Sequence, residues 1–243
     1  MLKIFTTEKE LAYAVFKIMQ EQLENEKKPV FSLAAGSTPK KIYNIFSSEY
    51  ANDKSLSSLK IVSLDEWVNV AKTTKGSCYQ MLNEDLFKNI ILKKENIIFF
   101  ETVNKNLKEE CKRIDDFITK NPITFSLMGV GINGHIGLNE PMDTIKNFSS
   151  IVELSDKTKE TATKYFKEKI NITHGITLGL GQIIKAKKTI VVITGIHKKE
   201  IVKEIFEGEK NTLPAQALLD YQHIDFFIDE TAGSLLTITK EVL

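Results

Sequence analysis

The stretch that decides the fold is Thr189-Ile-Val-Val-Ile-Thr-Gly195, followed directly by Ile-His-Lys-Lys199. A continuous apolar run such as residues 190–193 is typical of a strand that helices cover on both faces, whereas a strand with one solvated face alternates apolar and polar residues. The segment that follows has the apolar spacing of a helix. The stretch therefore predicts a buried strand that passes through a short loop into a helix, the repeating unit of a parallel sheet.

Short β-rich runs alternate with longer helical patterns along the rest of the chain. In Glu8–Asn25, for example, Leu11, Val15 and Met19 fall on one stripe. An alternating series of this kind predicts the α/β class, with a parallel, doubly wound sheet and right-handed crossovers. Strands are expected at Leu2–Phe5, Val30–Ala34, Lys60–Leu64, Asn96–Phe100, Thr124–Gly129, Ile151–Leu154, Thr189–Thr194 and Ile224–Ile228. Helices are expected at Glu8–Asn25, Pro39–Ser47, Cys78–Leu92, Asn106–Lys120, Ser155–Phe166, Lys198–Phe206 and Pro214–Leu219.

The charge balance of the chain excludes several kinds of partner. Its 243 residues include 33 basic and 32 acidic side chains, and this net charge of +1 gives no overall electrostatic reason to bind nucleic acid or an anionic membrane. Arg113 is the only arginine, so 32 of the 33 basic residues are lysine. Anion binding then depends on lysine, hydroxyl groups and backbone N–H groups, and any phosphate site is expected to be local.

Several features favour a single cytoplasmic domain over residues 1–243. Cys78 and Cys111 form no CxxC pair, and with only four histidines there is no zinc-finger spacing, so no metal is expected. The first residues lack the apolar core of a signal peptide, and the longest aliphatic run is far too short to span a bilayer. No repeat or Pro/Gly/Ser-rich linker divides the chain. The oligomeric state stays open, a homo-oligomer included.

The first candidate site segment is Ala35-Gly-Ser-Thr-Pro39, between an apolar strand and an amphipathic helix. Active sites of doubly wound sheets lie outside the carboxyl ends of the strands, which makes such junctions informative. Gly36 permits a tight turn, Ser37 and Thr38 supply hydroxyl groups, and the start of a helix presents free N–H groups to an anion. The alternative is an ordinary Ser/Thr cap of a helix.

The second junction, Leu64-Asp65-Glu66-Trp67, ends a strand in two adjacent carboxylates. Because aspartate is disfavoured within strands and strand ends face the crevice, Asp65 is a candidate general base, with Glu66 pointing the other way. The alternative is a helix cap in a loop.

The third junction reads Met128-Gly-Val-Gly-Ile-Asn-Gly-His-Ile-Gly-Leu-Asn-Glu-Pro141. Gly129, Gly131 and Gly134 match G-x-G-x-x-G in form, with Glu153 about twenty residues further on, as in dinucleotide sites. In those sites the third glycine opens a helix, whereas here a loop sequence follows. We therefore reject a dinucleotide site and interpret the glycines as places where the backbone approaches a ligand.

Three further side chains at these junctions have candidate roles. His135 and Glu140 lie five residues apart in the glycine-rich loop, which makes them a candidate acid–base pair. Lys198 follows the strand at 189–194 near the start of a helix, where a lysine opposes the helix dipole and so indicates an anionic ligand. A solvated surface lysine is the alternative.

Taken together, these segments are similar to one protein family. The motifs AGSTP, LDEW, GVGINGHIGLNEP, GITLGLG, VVITGIHK and LPAQAL, in this order, resemble the glucosamine-6-phosphate deaminase / galactosamine-6-phosphate isomerase family, over roughly Leu2 to Glu230. The resemblance implies a three-layer αβα sandwich with a mostly parallel, Rossmann-like sheet. It also implies an enzyme, without metal or nicotinamide cofactor, that converts an amino-sugar 6-phosphate and water into a ketose 6-phosphate and ammonia.

The resemblance also assigns the roles of the acid–base residues. The enolisation base falls on Asp65, which would move a proton between C2 and C1 through a cis-enediol. The ring-opening histidine falls on His135, and its supporting glutamate on Glu140. Asn133 stands where glucosamine-6-phosphate deaminases carry aspartate, and because an amide cannot ionise, the basicity of the histidine would depend more on the glutamate.

The phosphate contacts implied by the resemblance are Gly36, Ser37 and Thr38 together with Lys198. A second basic position, arginine in many glucosamine-6-phosphate deaminases, falls on Lys164. The loop glycines Gly131 and Gly134 complete the expected substrate site.

Two details bear on substrate and regulation. The sequences LDEWV, NGHIGLNEP and GITLGL resemble the galactosamine-6-phosphate isomerase branch of the family more closely. We therefore expect galactosamine 6-phosphate, in preference to glucosamine 6-phosphate, as the substrate. Ser150 and Val152 stand at positions that are basic in the allosteric hexameric deaminases, so no activation by an N-acetyl-amino-sugar phosphate is expected. The alternatives are a 6-phosphogluconolactonase, which typically has DER in place of DEW, and a non-catalytic sugar-phosphate sensor, which normally carries a helix-turn-helix segment.

Overall fold

The computed structural model describes residues 1–141, 145–166, 170–210 and 212–237, and these form two β-sheets. The strands are β1 (Leu2–Phe5), β2 (Val30–Leu33), β3 (Lys60–Ser63), β4 (Asp65–Trp67), β5 (Ile97–Ile98), β6 (Phe125–Gly129), β7 (Ser150–Glu153), β8 (His174–Thr177), β9 (Lys188–Ile193) and β10 (Ile224–Asp229). Within the described residues the larger sheet has seven strands in the order β1-β10-β9-β6-β2-β3-β5, and all its pairings are parallel.

Helices cover both faces of this sheet. The helices of the described residues are α1 (Glu8–Asn25), α2 (Lys40–Tyr50), α3 (Cys78–Asp85), α4 (Leu107–Lys120), α5 (Asp156–Ala162), which packs on the small sheet, α6 (Leu180–Ile184) and α7 (Lys199–Glu207). In β9, Ile190 and Val192 pack in a core with α1, α2 and α3, whereas Val191 and Ile193 pack in a second core with α4, α6 and α7. The unbroken apolar run in β9 is thus explained by burial on both sides, and the predicted three-layer α/β sandwich with a mostly parallel sheet is confirmed.

The order of the strands creates a crevice next to β2. From β2 the chain proceeds outward through β3 and β5 on one side, whereas β6, β9 and β10 follow on the other. Loops that leave neighbouring strands in opposite directions separate at their carboxyl ends, and ligands bind in the gap. The four junctions singled out in the sequence follow β2, β3, β6 and β9, which are neighbours in the sheet.

The prediction for Ile151–Leu154 is wrong in one respect. The segment forms β7, but β7 belongs to a second, antiparallel sheet of order β4-β8-β7 and not to the parallel sheet. The apolar pattern identified a strand without identifying its partner. This small sheet packs Trp67 and Val152 against Leu138 of the glycine-rich loop.

Other differences concern short elements and ends of helices. The strand β8 and the five-residue helix α6 were not predicted, because each is short and contains a glycine. The helix expected at Cys78–Leu92 ends at Asp85, and the one expected at Ser155–Phe166 ends at Ala162. The segment expected to be helical at Pro214–Leu219 forms only a short 3₁₀ turn. No helix in the described ranges is long and apolar enough to cross a membrane.

Candidate active site

A cavity of about 380 Å³ opens at the carboxyl ends of β2, β3, β6 and β9. All four junctions contribute to its lining, and α5 with the turn after it forms another side. The structure places on this lining the predicted site residues Gly36, Ser37, Thr38, Asp65, Gly131, His135, Lys164 and Lys198. Asn133, Gly134 and Glu140 belong to the same loop as His135, but do not line the cavity. The lone Arg113 lies elsewhere, paired with Glu110.

Asp65 is the first residue of β4 and not the end of a long strand. One residue, Leu64, separates β3 from β4, so the carboxylate lies where the chain passes from the large sheet to the small one. Burial raises the pKa of Asp65 to about 6, and the Cys78 thiol beside it opposes this shift by hydrogen bonding. A carboxylate with such a pKa can take up and return a proton near neutral pH.

Glu66 has a different environment, although it is the next residue. It accepts hydrogen bonds from the backbone N–H groups of Trp67 and Cys78, each at 2.9 Å, and of Tyr79 at 3.0 Å. The last two groups belong to the first turn of α3. Burial raises the pKa of Glu66 to about 7, against the lowering effect of these bonds. Glu66 thus joins β4 to the start of α3, and it points away from the cavity as expected.

The glycines of the third junction make room for the ring of His135. A Cβ atom on Gly131 would lie 2.2 Å from His135 Cε1, so any side chain at this position would displace the imidazole. The backbone N–H of Gly131 donates to the carbonyl of His135 at 2.9 Å, and Gly134 has a φ of 83°, which favours glycine. The glycines therefore serve to place the histidine.

A polar network lies behind this histidine. His135 Nδ1 is 3.2 Å from Thr158 Oγ1 and 4.0 Å from Glu140 Oε2. The Asn133 amide donates to Glu140 Oε2 at 2.8 Å, and the Ser155 N–H donates to Glu140 Oε1 at 3.2 Å. The predicted His135–Glu140 pair is thus brought together, and the amide contacts the carboxylate directly.

The charges near His135 determine its protonation. Burial lowers the pKa of His135 below its usual range; Glu140 opposes this shift and the positive charge of Lys198 adds to it. Lys198 is itself buried, donates to the carbonyl of Val130 at 2.6 Å, and has a pKa that burial lowers to about 8. At neutral pH the histidine is therefore neutral and the lysine still largely charged.

The start of α2 faces the cavity without a side-chain cap among the described residues. Caps are present at α1, α3, α4 and α5, on Thr7, Ser77, Asn106 and Ser155. Gly36, with a φ of 104°, turns the chain just before α2. Uncapped N–H groups at a helix start suit an anion.

The sequence reasoning missed several residues of the lining. Tyr165 places its hydroxyl 3.4 Å from where a Cβ on Gly36 would lie, and Thr158 and His197 also line the cavity. The available sequence signal was Ser155, three residues before Thr158, because a serine at that spacing marks the start of a helix. This signal predicts the helix but does not place Thr158 on the cavity.

The fold and the site together are those of an α/β enzyme with a cleft at the switch point of its sheet. Residues 6–227 match the family described as glucosamine-6-phosphate isomerases/6-phosphogluconolactonase. The chain belongs to this family, as the sequence motifs predicted.

Relatives of known name narrow the class of enzyme. The chain is 33% identical over 234 residues to glucosamine-6-phosphate deaminases of Bacillus cereus and Bacillus anthracis, which covers 96% of this chain and 87% of theirs. A solved structure of a monomeric glucosamine-6-phosphate deaminase superposes with a TM-score of 0.91 at 26% identity, covering 97% of this chain and 99% of the other. These relatives confirm the expected class, an amino-sugar-phosphate deaminase.

The lactonase side of the family shares the architecture. The 6-phosphogluconolactonase of Trypanosoma brucei superposes with a TM-score of 0.76 at 20% identity, covering 97% of this chain and 98% of the other. At that identity the likeness extends to the fold alone.

Proposed function

We propose that this enzyme converts galactosamine 6-phosphate and water into tagatose 6-phosphate and ammonia, with glucosamine 6-phosphate, giving fructose 6-phosphate, as the poorer substrate. The observation that carries the proposal is the presence of Asp65 and His135 on one small cavity that also contains an uncapped helix start and a buried lysine. Proton transfers and water addition suffice for this reaction, so it requires no redox cofactor.

The sugar phosphate is held at its phosphate end. The N–H groups at the start of α2, with the hydroxyls of Ser37 and Thr38, bind the phosphate oxygens, and Lys198 supplies the positive charge. Lys164, which is exposed, supplies a weaker second charge from the edge of the cavity. A dianionic phosphate stabilises the protonated form of Lys198 and so opposes the effect of burial on its pKa.

Ring opening is the first chemical step. His135, neutral and held by the network around Glu140 and Asn133, donates a proton to the ring oxygen as the bond from C1 to that oxygen breaks. The C1 hydroxyl passes its proton to the imidazole nitrogen that has just given one, so His135 ends neutral and the open-chain aldehyde forms. A general acid needs a proton to give and a defined direction in which to give it, and the packing of the ring over Gly131 supplies the direction.

Isomerisation and loss of ammonia follow. The carboxylate of Asp65 removes the proton from C2 and returns it to C1, through a cis-enediol-type intermediate that keeps the amino group on C2. The resulting C2 iminium adds water, and ammonia leaves to give the ketose. A base whose pKa is about 6 is ionised at neutral pH, yet basic enough to accept a carbon-bound proton.

Preference between the two epimers is the finer part of the proposal. The residues of the family motifs, including Asn133, support galactosamine 6-phosphate as the preferred substrate, whereas the relatives named above are glucosamine-6-phosphate deaminases. The ratio of kcat/KM for the two substrates decides between them.

The test is ammonia release from both amino-sugar 6-phosphates, run beside hydrolysis of 6-phosphogluconolactone. We expect ammonia from both, a higher kcat/KM for galactosamine 6-phosphate, and no acceleration of lactone hydrolysis. Asp65→Asn is the control, and its ammonia release should fall by about 10⁴-fold while it still binds inorganic phosphate. Lactone hydrolysis without ammonia release would overturn the proposed reaction.

A further inference from the structure

Two hydroxyl groups behind His135 have no role in the steps above. Ser155 is the cap of α5, and Thr158 lies three residues later, buried to 3% exposure with its hydroxyl 3.2 Å from His135 Nδ1. Their hydroxyl groups are 3.1 Å apart. The two side chains therefore connect the loop network to the imidazole.

The direction of the hydrogen bonds follows from counting donors around Ser155. Its oxygen accepts from the N–H of Thr158 at 3.2 Å and from the amide of Asn133 at 3.1 Å, which uses both lone pairs. Its own hydrogen must then be donated, and in the described part of the chain the remaining partner is Thr158 Oγ1.

The orientation of the Asn133 amide is equally determined. Its nitrogen lies 2.8 Å from Glu140 Oε2, a carboxylate oxygen that only accepts. Turning the amide over would place two oxygens against each other. The same nitrogen therefore donates to Ser155, while Asn133 Oδ1 faces the backbone N–H of His135 at 3.4 Å.

Thr158 passes this direction on to the histidine. The Ser155 hydrogen lies between the two hydroxyl oxygens, so the hydrogen of Thr158 cannot also point at Ser155. It needs another acceptor, and among the described residues His135 Nδ1 is the one within reach. We propose that Ser155 and Thr158 form a relay that holds neutral His135 in the tautomer with a bare Nδ1 and a proton on Nε2, which makes Thr158 a positioning residue.

The consequence for catalysis depends on the proposed function. With Nδ1 engaged by Thr158, the proton resides on the other ring nitrogen, which has no hydrogen-bond partner within the described residues. A neutral histidine in this tautomer can donate to a ring oxygen at once, whereas the opposite tautomer would present a lone pair to it. The relay thus prepares His135 as the acid of ring opening.

The test reads the tautomer directly by NMR. The enzyme is labelled with ¹⁵N-histidine, and the His135→Gln variant identifies the signals of His135 among those of the four histidines. In the neutral ring, the nitrogen that carries the proton and the bare nitrogen resonate far apart. We expect Nε2 to carry the proton in the wild type and in Thr158→Ser, which keeps the hydroxyl, and a mixed or reversed pattern in Thr158→Val, which keeps the shape but not the hydroxyl.

Kinetics provide the second measurement. Thr158→Val should lower kcat by about 100-fold with little change in KM, the lower range of what a positioned general acid supplies, while Thr158→Ser stays close to wild type. A wild-type spectrum with the proton on Nδ1, or an unchanged tautomer in Thr158→Val, would overturn the relay. The expected tautomer together with no release of ammonia would overturn the proposed reaction and leave the relay standing.

Discussion

The two walls of the cavity hold their titratable groups in opposite ways. On one wall Asp65 accepts no backbone N–H bond within the described residues, and burial alone raises its pKa to about 6. On the other wall His135 is tied through Thr158 and Glu140 into a network of directed hydrogen bonds. A carboxylate without backbone donors keeps its lone pairs available to a substrate, whereas an acid that must give its proton in one direction needs partners that orient it.

Glu66 shows how backbone donors occupy the oxygens of a carboxylate. The two carboxylates are neighbours in the chain, but Asp65 is half-buried on the cavity, whereas Glu66 is buried and accepts three backbone N–H bonds. Alternation along β4 sends one side chain to the cavity and the next to α3. One side chain is therefore available for chemistry, and the other is used in building the fold.

The largest expected effect is that of Asp65→Asn, which removes the base from its wall. We expect kcat to fall by about 10⁴-fold, the upper range for general acid–base catalysis, while phosphate binding stays nearly unchanged. The free energy of unfolding should rise at neutral pH, by about 1–3 kcal/mol, because the variant no longer buries a charge.

The gain in stability from Asp65→Asn should depend on pH. The folded-state pKa of Asp65 is about 6, above the ordinary value of 3.8, so the folded protein binds the proton more tightly and loses stability as pH rises between these values. The gain in Asp65→Asn should be complete above pH 6 and absent below pH 3.8, as measured by thermal unfolding across that range. Equal loss of phosphate binding and of catalysis would mean that Asp65 is structural.

Glu66→Ala is the matched change on the opposite face of β4. It leaves three buried N–H groups without an acceptor, so the free energy of unfolding should drop by about 3–5 kcal/mol. Chemical denaturation measures this loss. A Glu66→Ala variant as stable as the wild type would contradict the structural role of Glu66.

Lys198→Ala tests the positive charge that lies near His135. The loss of one charged hydrogen bond should weaken substrate binding by about 1.5–3 kcal/mol, with inorganic phosphate affected alike. Lys164→Ala is the control, and because that side chain is exposed it should cost less than about 1 kcal/mol. Inhibition constants for phosphate measure the effect of each substitution. Equal effects would mean that Lys198 contributes no more to phosphate binding than the exposed Lys164.

Asn133→Asp should have the smallest effect, and it acts on the wall of His135. A second carboxylate beside Glu140 favours the protonated imidazole, so the pKa of His135 should rise, by about one unit. Titration of the His135 NMR signals measures the shift. An unchanged or lower pKa would show that the amide and the carboxylate are equivalent to this histidine.

The sequence predicted the junctions well because each combined an apolar run with residues that strands disfavour. Asp65 and the glycine-rich loop stood out for this reason. The local pattern could not say that β7 pairs with β8 in a separate sheet, since pairing depends on distant residues. It also could not show that Thr158, on a helix further along the chain, returns to His135. The roles assigned to the site residues, the single domain, the cytoplasmic location and the oligomeric state stay predictions.

The single residue between β3 and β4 has a mechanical consequence. Asp65 is mounted on the small sheet, whereas the phosphate-facing loop of Gly36 extends from the large one, so the separation of base and phosphate is a distance between two sheets. Hydrogen bonds cross the seam, the boundary between the large and the small sheet. They run from Leu178 N–H to Leu64 O at 2.8 Å and from Ser63 Oγ–H to Asp65 O at 3.0 Å, and they resist sliding of one sheet past the other. Loosening the seam would misalign base and substrate while each sheet stayed folded.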